Sequence, residues 1–200
     1  MASSSKQIPD EVSVDPDFAV DFFWDFENTP VLPNQVTKLI FNIESSLKTV
    51  DPRYYLSETR FAVGNLNLPF IKQNRTFLEK KKFQLIDAPK RHLKCETCKE
   101  EIQRSTYSIK PYERQKDVAD RIILQCMLGH VITKDGGNIL LSSSDSDFGI
   151  TLNMLKANGY QIFLARLIDK SRPEYQLNAN YVWDWGKMKN ERAQATHRYP

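Results

Sequence analysis

Apolar and polar positions along the chain fall into blocks of different period. Residues 1–17 are polar, contain Pro9 and Pro16 and have no period, so they read as a flexible leader. The first dense apolar run, residues 18–26, is aromatic and β-branched and stops at the turn signal Glu27-Asn28-Thr29-Pro30. That composition predicts a strand buried on both faces. Val36, Leu39, Ile40, Ile43 and Leu47 then recur at three- and four-residue spacings, which predicts a helix over 35–47. A second strand is expected within 54–63, a helix over 69–81 and a short strand over 83–87. Further on come a helix over 116–128, the turn Lys134-Asp135-Gly136-Gly137 and a strand over 138–142. A helix over 148–158 should close at Gly159, because glycine adopts the left-handed conformation of a helix C-terminus without penalty. A strand over 160–165 follows, and 181–185 reads as a last edge strand. Residues 187–200 read as a polar tail, and no internal repeat is visible.

Short, fully apolar strands alternating with helices predict an α/β fold with a mostly parallel central sheet, since each crossover helix must cover a sheet face. The stretch 89–115 breaks this rhythm and reads as a basic, cysteine-containing insertion. With 200 residues, the chain accommodates one such domain, placed at 18–186. No apolar run approaches the ~20 residues of a membrane span, so no membrane partner is expected. The leader lacks the apolar core of a secretion signal. Three cysteines, an odd number, argue against a disulfide framework. These features point to an intracellular protein, cytoplasmic or nuclear.

The net charge is only +3, but it is unevenly spread. Residues 72–116 carry 13 Lys/Arg against six Asp/Glu, a local +7 that leaves about −4 for the remainder. A basic stretch of this kind suits a phosphate backbone held without sequence readout, with Tyr107 and Tyr112 available to stack on unpaired bases.

In an open parallel sheet, ligands bind beyond the C-terminal strand ends, where strand order reverses. Asp25 ends the first strand, Asp145 and Asp147 follow the strand that ends at Ser142, and Asp120 lies in the first turns of the helix from 116. These four are expected to converge as catalytic and metal-ligating residues. Oxygen-only ligands suit a hard cation, Mg²⁺ or Mn²⁺. Such an ion activates water and stabilises charge on a phosphate, which suggests phosphodiester hydrolysis. The structural alternatives are a helix cap for Asp147, a turn for Asp145 and an ion pair with Lys116 for Asp120.

At these residues the chain resembles the NYN nucleases, a branch of the PIN-like superfamily, and within them the limkain-type members. The resemblance rests on Phe23-Trp24-Asp25-Phe26-Glu27-Asn28, Lys116-Asp117-Val118-Ala119-Asp120, Leu140-Leu141-Ser142-Ser143-Ser144-Asp145-Ser146-Asp147-Phe148 and Gly159-Tyr160-Gln161-Ile162-Phe163-Leu164-Ala165. Val182-Trp183-Asp184-Trp185 is similar to the family's closing tryptophan segment. It implies a three-layer PIN-like sandwich and a divalent-metal endoribonuclease acting on single-stranded RNA, with Asp25, Asp120, Asp145 and Asp147 matching the family's acidic residues. Asn28 would orient Asp25 or a bound water, and Ser143, Ser144 and Lys116 would contact substrate. Gln125-Cys126 stands where many limkain-type members carry a further Asp, which argues against a second metal.

His92-x-x-Cys95-x-x-Cys98 has ligand-like spacing for a structural zinc, but a fourth donor is not evident, and free cysteines are the simpler reading. Two other function classes remain: a catalytically weak NYN-fold RNA-binding or adaptor module, and a haloacid-dehalogenase-type phosphatase. The latter wants an Asp two residues after Asp25, where this chain has Glu27. A homodimer or a protein partner is compatible with each.

Overall fold

The computed structural model describes residues 15–88, 113–134 and 136–199, apart from the side chains of 113–117. The basic insertion, with His92, Cys95, Cys98, Tyr107 and Tyr112, lies outside the described residues, as does the Lys116 side chain. Seven strands form one sheet: β1 (Ala19–Asp25), β2 (Tyr55–Gly64), β3 (Phe83–Asp87), β4 (Gly137–Ser142), β5 (Tyr160–Arg166), β6 (Tyr181–Asp184) and β7 (His197–Arg198). Their order is β3-β2-β1-β4-β5-β6-β7, and all neighbours run parallel except β6 and β7. The helices are α1 (Val36–Leu47), α2 (Pro69–Lys80), α3 (Glu113–Thr133), α4 (Gly149–Ala157) and the short α5 (Trp185–Met188). The expected α/β architecture with a central, mostly parallel sheet is what the chain adopts.

The parity of β1 explains the layers. Successive strand side chains point to opposite faces. Val20, Phe22 and Trp24 therefore join α1, α2 and the Trp183/Trp185 region in one core, while Phe23 joins α3 and α4 in the other. Asp21 and Asp25 share the parity of Phe23, so both face the α3/α4 side. On α3, Asp120, Ile123, Met127 and His130 recur at three- and four-residue spacings and form the stripe that meets this face.

That stripe is anchored by charge. The Asp21 carboxylate is 2% exposed; it accepts a hydrogen bond from Ser57 of β2, lies against His130 Nε2 and is 3.1 Å from Lys134 Nζ. Burial alone would raise the Asp21 pKa, yet the bonds from His130, Ser57 and Lys134 and the His130 charge together hold it below its usual value.

Two expectations are corrected. The helix over 116–128 extends to Glu113–Thr133, because the anchor at His130 rewards continuing past Gly129. The stretch from 187 is not a free tail. Met188 and Ala193 are buried, the Thr196 amide donates to the Val182 carbonyl, and β7 pairs antiparallel with β6, so β6 is not the sheet edge. Gly159 does close α4 as expected, at φ 84°. No described helix is long and apolar enough to cross a membrane.

Two outcomes follow for stability. Gly129 is an exposed helical residue, and a Cβ there would meet nothing within 4 Å. Gly129→Ala should therefore stabilise the fold by about 0.5–1 kcal/mol, measured by chemical denaturation. Asp21→Asn should cost about 3–5 kcal/mol at neutral pH, the range for breaking a buried ion pair. Since the folded Asp21 pKa is depressed, its contribution is present above the unfolded carboxylate pKa of about 3.9 and is lost as pH falls through the lower folded value. The Tm gap between wild type and Asp21→Asn should therefore close on acidification.

Candidate active site at the switch in strand order

Strand order reverses between β1 and β4, the adjacent central strands whose connections leave in opposite directions across the sheet. Asp25 ends β1 at this point and is 0% exposed. Its Oδ2 accepts from Asn28 Nδ2 at 2.6 Å and from Ser143 Oγ at 2.7 Å, and its Oδ1 accepts from the Asn28 amide at 3.2 Å. Burial nevertheless keeps its pKa raised, with the Glu27 charge adding to the effect and the Asn28 and Ser143 bonds opposing it. A carboxylate accepts at about four lone-pair positions, so Oδ1 retains capacity for another ligand.

The loop carrying Asn28 is fixed from below by tryptophans. Trp24 Nε1 donates to the Thr29 carbonyl at 3.0 Å, and Trp185 Nε1 to the Pro30 carbonyl at 3.4 Å; the two indoles pack with centroids 6.1 Å apart. Thr29 Oγ1 lies 2.6 Å from the Asp25 carbonyl and 3.0 Å from that of Ser142, and it accepts from Ser142 Oγ at 2.9 Å. This buried pair ties the end of β1 to the end of β4.

Beyond β4, the Ser143 hydroxyl that donates to Asp25 also accepts from the Asp145 amide at 3.1 Å. Asp145 caps the 3-10 turn Ser146–Phe148, accepting from the Asp147 amide at 3.0 Å. The cap is therefore Asp145 and not Asp147, because it is the Asp145 backbone that is extended, as an N-cap requires. Asp120 reaches the same region from α3. The charges of Asp25, Asp145 and Asp120 all bear on the hydroxyl of Tyr175, which is 2% exposed. Those charges and, above all, burial push the Tyr175 pKa well above its usual value.

Of the four expected carboxylates, Asp25, Asp145 and Asp120 each contribute to that upward shift. Asp147 does not: it is exposed and lines a groove of about 680 Å³ with Asn153, Arg172 and Glu174. Two expected substrate contacts also take other parts. Ser143 is wholly buried and supports Asp25, leaving no surface for a phosphate, and Ser144 Oγ accepts from the Leu167 amide at 2.9 Å. Asn28 bonds to Asp25 through both its side chain and its backbone amide. Among the described residues, no three His, Cys, Asp or Glu side chains stand close enough to ligate one ion by themselves.

Sequence reasoning missed Thr29, Arg166 and Tyr175. Arg166, 3% exposed at the end of β5, donates to Ser171 and, at 2.9 Å, to Gln176 Oε1, bracing the 3-10 segment Pro173–Asn178 that carries Tyr175. The available signals were an arginine directly after the apolar run 160–165 and a lone aromatic in the polar stretch 169–180.

Ser143→Ala should cost about 1.5–3 kcal/mol of stability at pH 8, the range for a hydrogen bond to a charged group. Folded Asp25 keeps its proton to higher pH than the unfolded chain does. Its burial is therefore least costly below the ordinary carboxylate pKa and destabilises as pH rises through the raised value. The Ser143→Ala loss should accordingly shrink in acid, where the charge-assisted bond becomes a neutral one. A loss that does not change with pH would argue against an ionised Asp25 as the acceptor.

Comparison with known proteins bears on this arrangement. Among curated proteins no sequence matches the chain. A crystal structure of a protein of unknown function from Vibrio parahaemolyticus is similar in fold, with TM-score 0.53 and 12% identity over 84% of this chain and 93% of that one. The sequence profile of the NYN domain matches residues 19–184. That span runs from the first residue of β1 to the last of β6 and includes every carboxylate of the cluster. The chain belongs to the NYN domain family, a family of PIN-like nuclease fold.

Proposed function

We propose that this chain is a limkain-type, divalent-metal-dependent endoribonuclease that hydrolyses phosphodiester bonds of single-stranded RNA. The observation that carries the reading is the Ser143 hydroxyl at the switch in strand order, which donates to the buried Asp25 carboxylate and accepts from the Asp145 amide, both within the span that matches the NYN domain. The candidate ligands are all oxygen donors, and Asp25 is held in place by neutral donors, Asn28 and Ser143.

Mg²⁺ and Mn²⁺ suit such ligands, and Mg²⁺ is commonly held by one or two carboxylates with water and substrate oxygens completing the shell. The lack of a ready-made three-ligand cage among the described residues therefore fits this type of site. Asp25, Asp120 and Asp145 would hold the ion, with Asp147 at the exposed margin. When bound, the ion would supply an activated water and stabilise charge on the phosphate. Asn28 and Ser143 fix the Asp25 carboxylate so that its oxygens do not rotate away from the cluster. The positive charge of the stretch 72–116 would attract the RNA backbone.

A second reading, a catalytically weak RNA-binding or adaptor module, is favoured by the complete burial of Asp25 and by Gln125-Cys126 in α3. A side-by-side assay of single-stranded RNA, duplex RNA and single-stranded DNA, with and without Mn²⁺, separates the two. Mn²⁺-dependent cleavage of single-stranded RNA is expected, with Asp25→Asn and Asp145→Asn each lowering it by roughly 100-fold or more, while circular dichroism stays native. RNA binding without turnover would support the second reading, and undiminished cleavage by both variants would remove these carboxylates from the chemistry.

A further inference from the structure

The groove of about 680 Å³ that Asp147 lines opens beside the loop after β4 and has a construction of its own. Ser146 and Asp147 line it, and Asp145, the residue before them, is tied through the Ser143 hydroxyl to Asp25. From Asp145 to Asp147 the chain spans at most about 7 Å, less than the length of one nucleotide.

The walls are α4 and the 3-10 segment Pro173–Asn178 with Arg172 before it, and both are held in place. Gly149, the first residue of α4, permits their close approach: a Cβ there would lie 2.9 Å from Asn178 Nδ2. The buried Arg166 braces the second wall by donating to Ser171 and Gln176, and Asn178 Nδ2 donates to the Tyr175 carbonyl at 3.1 Å. The groove is thus preformed, and its volume is in the range of sites for small molecules.

Its lining selects the ligand. From α4 come the exposed apolar side chains of Ile150 and Met154; from the other wall come Arg172 and Glu174. Among the described residues, the Arg172 and Glu174 side chains make no hydrogen bond or ion pair. Two carboxylates, Asp147 and Glu174, against one cation make a poor seat for a phosphate. An uncharged, unpaired base fits better, since its face packs on apolar side chains and its edges form hydrogen bonds. Of the RNA bases, guanine alone presents two adjacent donors, N1–H and N2–H, that a carboxylate can accept side by side. Its O6 and N7 accept from an arginine.

We propose that this groove holds an unpaired guanine of the RNA strand, with Glu174 accepting from N1–H and N2–H, Arg172 donating to O6 and N7, and Ile150 and Met154 against the face of the base. The inference rests on RNA as the substrate class but not on turnover or on a bound metal.

The test is fluorescence anisotropy of the full chain with labelled single-stranded RNA in EDTA, which removes cleavage from the measurement. A uridine oligomer bearing one guanosine should bind about 10-fold tighter than the all-uridine oligomer, within the range that a bidentate base contact supplies. Inosine in place of the guanosine lacks the N2 amino group and should lose most of that gain. Glu174→Gln should abolish the preference and leave the all-uridine affinity unchanged; because Glu174 is exposed, the Tm should stay that of the wild type. Guanosine monophosphate should bind roughly 10-fold or more weakly than the guanosine-bearing oligomer, because backbone contacts add affinity. Equal affinity would make the groove a free-nucleotide site and overturn its assignment to a strand. No preference for guanosine in the wild type, or a preference that survives in Glu174→Gln, would overturn the inference while leaving the nuclease reading intact. A preference lost in Glu174→Gln, in a protein that does not cleave RNA with Mn²⁺, would support the inference and count against the nuclease reading alone.

Discussion

The contact between Asp21 and His130 sets the register of α3 along β1, and the placement of the candidate site depends on it. Strand and helix run antiparallel here, as a right-handed crossover into the parallel β4 requires. From Asp21 to Asp25 is four residues of strand, about 13 Å at 3.3 Å each. From His130 back to Asp120 is ten residues of helix, about 15 Å at 1.5 Å each. With one end pinned, the other end of each element arrives at nearly the same height, and Asp120 comes level with Asp25. Ser57 and Lys134 complete the anchor, so the buried carboxylate at its centre is bonded at both oxygens.

The second carboxylate on that face of β1 is treated differently. Asp21 receives cationic partners and stays acidic; Asp25 receives neutral donors and is held by burial at a raised pKa. Much of the surrounding architecture restrains that second charge. The indoles of Trp24 and Trp185 hold the backbone that presents Asn28, and Thr29 joins the ends of β1 and β4. Ser143 links Asp25 to the Asp145 turn through a single hydroxyl. A hydroxyl that both donates and accepts makes the positions of two carboxylates interdependent.

Most of the fold was legible because parallel strands buried on both faces are continuous apolar runs, and the helices between them keep a 3.6-residue period. The 83–87 strand matches β3 to the residue. Boundaries failed where long-range contacts decided them. Nothing local in 129–133 signals that α3 continues, since the reason is a carboxylate more than a hundred residues away. Likewise β7 is a two-residue strand whose partner, β6, supplies its only reason to be extended. At the site, carboxylates at strand ends could be read from position alone, and Asn28 from its place three residues after Asp25. Tyr175 could not be, because its neighbours in the chain, Glu174 and Gln176, are polar and its relevant neighbours lie in other elements.

The sequence by itself determined the alternation of strands and helices, the parity that turns Asp21 and Asp25 toward one face, and the placement of Asp120 and Asp145 at element ends. Those are consequences of backbone period and hydrophobic burial, which act over a few residues. Only the tertiary structure decided that Asp145 and not Asp147 caps the turn after β4, that Ser143 supports a carboxylate, and that the Tyr175 hydroxyl is buried. Each of these depends on which side chains are excluded from water together. That exclusion exists only once strands distant in the chain lie side by side.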